Sequence, residues 1–283
     1  MSGFLHRLVL ACLLLPLLCG AAGAQDAASP DLGKPIVGHA DTTYADLIRM
    51  VVPDLTAKGD YYVGSSPIEM RHIAGPDNDS SPPEAPSVFS AGVLGIKAGG
   101  KDRLAMLFDL GQSPDSAEGY AVLALYDLTG KPKLLDAVNV ATDRFTFFRH
   151  PGKLSLGPSD DALMISSTHF NSNQGYMSTP LILVRDGRFE LIDLINTFDE
   201  NVCSYRRSQD LTVQALSDGS PYAAIKAAIT DKTVPGEETC DEPAPKAVSN
   251  DNSVTYRWDK KTARYVADSD AFEKLAADNE KRF

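Results

Sequence analysis

Short apolar runs separated by turn residues dominate the chain from residue 88 onward. Residues 104–110 and 121–128 are almost continuously apolar, which is typical of strands that are covered on both faces. Residues 254–259 alternate between apolar and polar side chains, as a half-buried strand does. The pattern therefore predicts a mainly β protein.

The clearest hairpin pattern lies at residues 181–191. Two β-prone runs flank Asp186-Gly187, a pair that favours a tight type I′ turn because both central residues must accept positive φ. Residues 123–138 and 254–267 share the order of apolar strand, polar turn and second strand, without a strict repeat. We expect antiparallel hairpins or a meander, arranged as a sandwich or as an incomplete propeller-like stack of sheets.

Two short helices are predicted, one near each end of the domain. Residues 41–43 can cap a helix, and apolar side chains then recur at helical spacing over residues 44–51. Residues 270–273 have the spacing of a capping box, which predicts a C-terminal helix over about residues 270–281. Residues 222–230 fit either a strand or a helix.

The first 24 residues have the pattern of a cleaved secretory signal peptide. A short polar start precedes an apolar run over residues 8–18, and small residues occupy the cleavage site at 22–24. The run is too short to cross a bilayer about 30 Å thick, and no later stretch predicts a transmembrane span. The short polar start favours the periplasm of a Gram-negative cell over full secretion. Lipid anchoring at Cys12 or Cys19 is the weaker alternative.

The rest of the chain divides into a leader and one domain. Residues 25–40 are small, polar and interrupted by prolines, which predicts a flexible leader. Residues 41–283 form a single predicted β-rich domain that ends in the C-terminal helix.

Two cysteines, Cys203 and Cys240, remain after removal of the signal. An even pair in an oxidising compartment predicts one disulfide. A zinc or redox role is the weaker interpretation, because the chain has no CxxC spacing and no histidine close to either cysteine. Closing this loop would stabilise the fold by about 4 kcal/mol in the chain-entropy model.

Charge and missing motifs narrow the function classes. The chain has 27 basic and 38 acidic residues, a net charge of −11, which argues against nucleic acid or anionic lipid as a partner. The sequence contains no GxSxG, HExxH, phosphate-binding GxxxxGK[ST] or EF-hand pattern, and its histidines lack metal-ligand spacing. We therefore assign no catalytic residue, metal site or cofactor from sequence.

One polar stretch, residues 166–176, carries the candidate site. In an extended strand, alternate side chains would present a hydroxyl, an imidazole and two carboxamides on one face, followed by a third carboxamide. The candidate ligand-binding residues are Ser167, His169, Asn171, Asn173 and Gln174. His169 could act as a general base. The alternative is that these are turn residues whose side chains satisfy loop backbone groups.

The sequence thus favours an exported, non-enzymatic binding or interaction module, with a protein or a small polar ligand as partner. An exported hydrolase that uses residues 166–176 is the alternative, and a structural envelope protein is a third possibility. A cleft that holds His169 against an acidic residue and beside a serine hydroxyl would favour the hydrolase. A flat loop or packed turn would favour the module.

Overall fold

The computed structural model describes residues 26–217, 219–236, 240–241 and 243–281, so the predicted signal peptide, residues 1–24, lies outside the described residues. Within them the chain forms eighteen strands and two α-helices. In chain order these are β1 Pro35–Ile36, β2 His39–Thr43, α1 Tyr44–Arg49, β3 Thr56–Lys58, β4 Tyr61–Val63, β5 Arg71–His72, β6 Ser87–Val88, β7 Ala91–Ala98, β8 Lys101–Gln112, β9 Gly119–Asp127, β10 Lys133–Asn139, β11 Phe145–Ser155, β12 Asp161–Asn171, β13 Gln174–Arg185, β14 Arg188–Asn201, β15 Tyr205–Leu216, β16 Ala224–Pro235, β17 Val248–Asp259, β18 Arg264–Ala267 and α2 Ala271–Glu280.

Strands β7–β18 form three consecutive four-stranded antiparallel units. We call β7–β10 the first unit, β11–β14 the second and β15–β18 the third. The parallel strand β5 extends the first unit beside β10. The second and third units belong to one eight-stranded sheet, but β14 and β15 pair only through Glu200–Arg207 and Asn201–Arg206. Beyond that short junction the two units separate and the third folds back over the second.

Three apolar layers hold the units together. The first layer joins α1 and the N-terminal strands to the outer face of the first unit. The second lies between the first and second units, and the third lies between the second and third units with α2. This arrangement confirms the predicted mainly β fold of antiparallel meanders with a short helix near each end.

The apolar runs in the sequence correspond to strands that are covered on both faces. In β9, Val122 and Ala124 enter the first apolar layer while Leu123 and Leu125 enter the second. Full burial of one leucine side chain stabilises the fold by about 1.5–3 kcal/mol, so the run contributes strongly. Most of the uncertain segment 222–230, from Ala224 onward, belongs to a strand, β16.

The hairpin predicted at Asp186-Gly187 joins β13 to β14. Asp186 has φ 52° and Gly187 has φ 75°, the positive values that a type I′ turn requires. The strands on either side stay paired from this turn along their length, with one register shift between Leu181 and Ile182.

Both helices form where the sequence predicts them, but their caps differ from the prediction. Thr43 caps α1 and forms a reciprocal capping box with Asp46. The capping box predicted for α2 does not form: Asp270 makes no side-chain cap hydrogen bond. Its carboxylate instead lies 2.8 Å from Lys274 Nζ, an ion pair one turn along the helix.

The described part of the predicted leader, residues 26–40, lies against the domain. Ala28 forms a backbone bridge with Val93 of β7. Leu32 and Ile36 are buried in the first apolar layer, each with 5% exposure. These two side chains are buried in an otherwise mostly polar, proline-containing segment, whereas the neighbouring Val37 is 91% exposed.

Cys203 and Cys240 form the predicted disulfide, with 5.8 Å between their Cα atoms. It links the β14–β15 turn to the segment that follows β16. No helix among the described residues is long and apolar enough to cross a membrane.

Candidate functional site

Residues 166–176 form the end of the β12–β13 hairpin in the second unit. Asn171 pairs with Gln174 across the turn, and His169 pairs with Tyr176. Ser172 occupies the turn with φ 29°. Because the strand is extended, Ser167, His169 and Asn171 alternate with residues that point to the opposite face.

Ser167 is fully buried and takes part in a cluster of hydroxyl groups. Its Oγ accepts a hydrogen bond from the backbone N–H of Thr142 at 3.2 Å and lies 2.7 Å from Thr146 Oγ1. Thr142 Oγ1 in turn is hydrogen-bonded to Ser178 Oγ. The hydroxyl of Ser167 thus joins the segment after β10 to β11 and β12 inside the protein.

His169 lies at the edge of this cluster and is held from two sides. Its Nδ1 is 2.6 Å from Asp143 Oδ2, and its ring stacks on Tyr176 with 4.5 Å between centroids. The His169 side chain remains 29% exposed. A general-base histidine is often oriented by a carboxylate in this way. The same contact with Asp143 also fits a purely structural role, in which it fixes the position of the ring.

Gln174 continues the row away from His169. Its Oε1 accepts a hydrogen bond from the Tyr176 hydroxyl at 2.9 Å, and its Nε2 donates to Glu200 Oε1 at 3.2 Å. Asn171 and Asn173 are exposed at the tip, and among the described residues their side chains form no hydrogen bond. The structure thus joins His169 and Gln174 through Tyr176, places Ser167 in the interior and leaves the two asparagines in solvent.

The opposite face of the same strands carries a cavity of about 200 Å³ between the second and third units. Its floor and walls come from β11, β12, β13, β14 and β15. The polar and charged residues of its lining are Arg149, Thr168, Thr197, Asp199, Gln209 and Asp210, together with Tyr176.

Arg149 is the least exposed of the charged residues that line this cavity. Its Nη2 donates to the backbone carbonyl of Leu211 at 2.7 Å, and its Nη1 lies 3.5 Å from Met177 Sδ. Among the described residues it has no carboxylate partner. Burial lowers the pKa of Arg149 because the charged guanidinium loses contact with water.

Two carboxylates line the same cavity and are more exposed than Arg149. Asp199 Oδ1 accepts a hydrogen bond from the backbone N–H of Gln209 at 2.9 Å, which fixes β15 against β14 near their junction. Asp210 is exposed. The cavity therefore presents both an arginine and carboxylate oxygens to a ligand.

An aromatic side chain, Phe170, forms one edge of the cavity. Its ring lies against Gly175, where a Cβ atom would approach the ring Cε1 to 2.8 Å, so only glycine allows this contact. Phe170 is nevertheless 72% exposed. Its ring thus places an accessible aromatic surface at the edge of a cavity that also contains charged and polar residues.

No family model, curated protein or solved structure matches this chain. Function is therefore inferred from the geometry of the site. Among the described residues no group of three or more histidine, cysteine or acidic side chains is placed to hold a metal ion.

Sequence reasoning missed the main residue of the cavity, Arg149. Its signal is faint: it follows three phenylalanines and one threonine in residues 145–149. The partner surface, Gln209 to Leu211, lies about sixty residues further along the chain and comes close only because the third unit folds back. No local pattern contains that contact.

Proposed function

We propose that this chain is an exported, non-enzymatic binding module that holds a small polar ligand in the cavity between the second and third units. The observation that carries the proposal is Arg149, a half-buried guanidinium that lines the cavity and bonds only to neutral acceptors. Burying a charge without a counter-ion costs free energy, which an anionic ligand would recover.

The cavity lining defines the ligand class. Arg149 suits a carboxylate, while the carboxylates of Asp199 and Asp210 suit amino or hydroxyl groups of the same ligand. A volume of about 200 Å³ lies below the usual range of pockets for drug-sized ligands, so it suits a molecule with few non-hydrogen atoms. Amino acids and acidic monosaccharides combine these groups at this size, and Phe170 offers an apolar surface to either.

The hydrolase alternative draws on the Asp143–His169 pair. Such an enzyme needs a nucleophile, and the nearby Ser167 is fully buried and already bonded to Thr142 and Thr146. A water molecule activated by His169 is the remaining route. The engaged, buried hydroxyl argues against Ser167 as the nucleophile of a hydrolase.

Export to the periplasm is part of the proposal. The signal-like N-terminus and the Cys203–Cys240 disulfide support it, since structural disulfides persist in oxidising compartments. We expect osmotic shock of the producing cell to release the oxidised protein. Retention in the cytoplasm with both thiols free would contradict this part.

The deciding experiment is thermal denaturation of the protein with the standard amino acids, glucuronate and galacturonate. A ligand at 100 times its Kd stabilises by about 2.7 kcal/mol, a visible shift in Tm. Arg149→Met keeps the apolar stem and removes the charge, so it should abolish the shift produced by the hit. Arg144→Gln, which removes an exposed arginine outside the cavity, is the matched control.

The outcomes separate the two functions. A shift that survives Arg149→Met, or no shift with any compound, would refute the proposed site. His169→Ala should leave ligand binding intact, because His169 lies on the opposite face of the strand. Consumption of the hit by the wild-type protein, lost in His169→Ala, would establish the hydrolase instead.

A further inference from the structure

A second surface with concentrated charge lies at the other end of the β13–β14 hairpin, beside the Asp186-Gly187 turn. A groove of about 750 Å³ opens there, and it is lined by β5 and the residues that follow it, by the second unit and by the third unit. Its charged lining consists of Arg71, Arg185, Arg188, Glu190 and Arg264.

Two of these arginines are neutralised by carboxylates and held in place. Arg71 binds Asp136 through two hydrogen bonds of 2.9 Å, and its Nη2 also donates to the backbone carbonyl of Phe189. Arg185 donates to both carboxylate oxygens of Glu190, at 3.1 and 2.6 Å. These bidentate pairs fix the guanidinium planes in the groove.

The other two arginines, Arg188 and Arg264, are exposed, and within the described part of the chain neither has a carboxylate partner. Arg188 pairs in register with Arg185 across the hairpin. Like charges directly opposite each other destabilise a hairpin. The Asp186 carboxylate lies 3.6 Å from the Arg185 guanidinium, but the Asp186 side chain is 87% exposed. Water therefore screens its attraction for the arginines of the groove. The groove thus keeps an excess of positive charge.

Apolar side chains form the rest of the wall. Leu183 and Phe189 are each 2% exposed, and Leu191 and Tyr265 adjoin them in the lining. Charges beside such a low-dielectric wall act more strongly on a ligand than charges on an open surface. This concentration of arginine stands out in a chain with a net charge of −11.

We propose that this groove binds a small polyanion that carries at least two carboxylate or phosphate groups. Arg188 and Arg264 supply the two free guanidinium groups for those anions. Arg71 and Arg185, already neutralised, shape the site and hold its walls. The site is separate from the cavity of Arg149 and gives the protein a second ligand class.

Calorimetric titration of the purified protein with pyrophosphate, citrate and acetate at low ionic strength tests this. Pyrophosphate represents the phosphate source and citrate the carboxylate source, and acetate is the monovalent control. We expect measurable binding of at least one polyanion and none of acetate, with affinity that falls as salt is added. Arg188→Gln and Arg264→Gln should each weaken binding about tenfold or more, and the double variant should abolish it.

Two control variants decide whether the site is specific. Arg144→Gln removes an exposed arginine elsewhere and should leave the affinity unchanged. Arg149→Met should also leave it unchanged, which separates this site from the one proposed above. Absence of binding in the wild-type protein, persistence in the double variant, or an equal loss in Arg144→Gln would overturn the proposal.

Discussion

Both halves of β12 contain fully buried residues, yet different interactions hold them. Leu163 and Ile165 in the first half pack into the apolar layer shared with the first unit. In the second half, on the same face, Ser167 is equally inaccessible but is fixed by hydrogen bonds with the backbone N–H of Thr142 and with the Thr146 hydroxyl. Apolar contacts tolerate small shifts of neighbouring side chains, whereas hydrogen bonds require partners at fixed positions. The hydrogen-bonded half of β12 is the half that carries His169 and borders the cavity.

The largest expected effect is in the apolar half. Ile165→Ala should lower the free energy of unfolding by about 2–5 kcal/mol, because it leaves a cavity between two sheets. Urea denaturation followed by circular dichroism measures this loss. A loss below 1 kcal/mol would mean that the first and second units repack freely around the missing side chain.

Ser167→Ala tests the polar half at a position of the same burial. The substitution leaves the backbone N–H of Thr142 without its acceptor inside the protein, which should cost about 1–3 kcal/mol. The same denaturation measurement applies. An unchanged stability would show that Thr146 or water replaces the lost acceptor.

Ser166→Ala is the matched substitution at the neighbouring residue, and we expect it to stabilise the fold where Ser167→Ala destabilises it. Ser166 Oγ is also buried but has no hydrogen-bond partner among the described residues. Its removal should raise the free energy of unfolding by about 0.5–1 kcal/mol, since an unsatisfied buried hydroxyl is destabilising. Destabilisation would contradict the contrast between the two serines.

Phe170→Ala should have the smallest effect on stability, within about 0.5 kcal/mol, because the ring is 72% exposed. If the ring forms part of the ligand cavity, the same variant should weaken ligand binding measurably while Tm in the absence of ligand stays constant. A marked fall in the Tm of the ligand-free protein would instead assign Phe170 a packing role over Gly175.

Much of the fold could be predicted because its signals are local. The continuous apolar run of β9 indicates a strand with two covered faces, and Asp186-Gly187 indicates a tight turn between neighbouring strands. The disulfide follows from an even cysteine count. The prediction of a capping box for α2 was wrong, because the Asp270 carboxylate pairs with Lys274 instead. The spacing of Asp270 and Glu273 alone does not show which of these partners the carboxylate takes.

The candidate site was less predictable, because its parts meet only in the folded chain. The alternation of Ser167 and His169 was visible in the sequence, but alternation does not tell a buried hydroxyl from an accessible one. Arg149 and Leu211 are brought together by the short β14–β15 junction. No local pattern indicates that Arg71 and Arg264 line one groove with Arg188, because the three lie far apart along the chain.

The C-terminal helix α2 closes the side on which the second and third units separate. It inserts Phe272 and Leu275 into the layer between the units, and Asn279 exchanges two side-chain hydrogen bonds with Gln209. A protease cut after Ala267 would therefore do more than trim an end. Loss of α2 would expose the apolar side chains that Phe272 and Leu275 cover between the second and third units. The cleaved protein should self-associate through that exposed apolar surface.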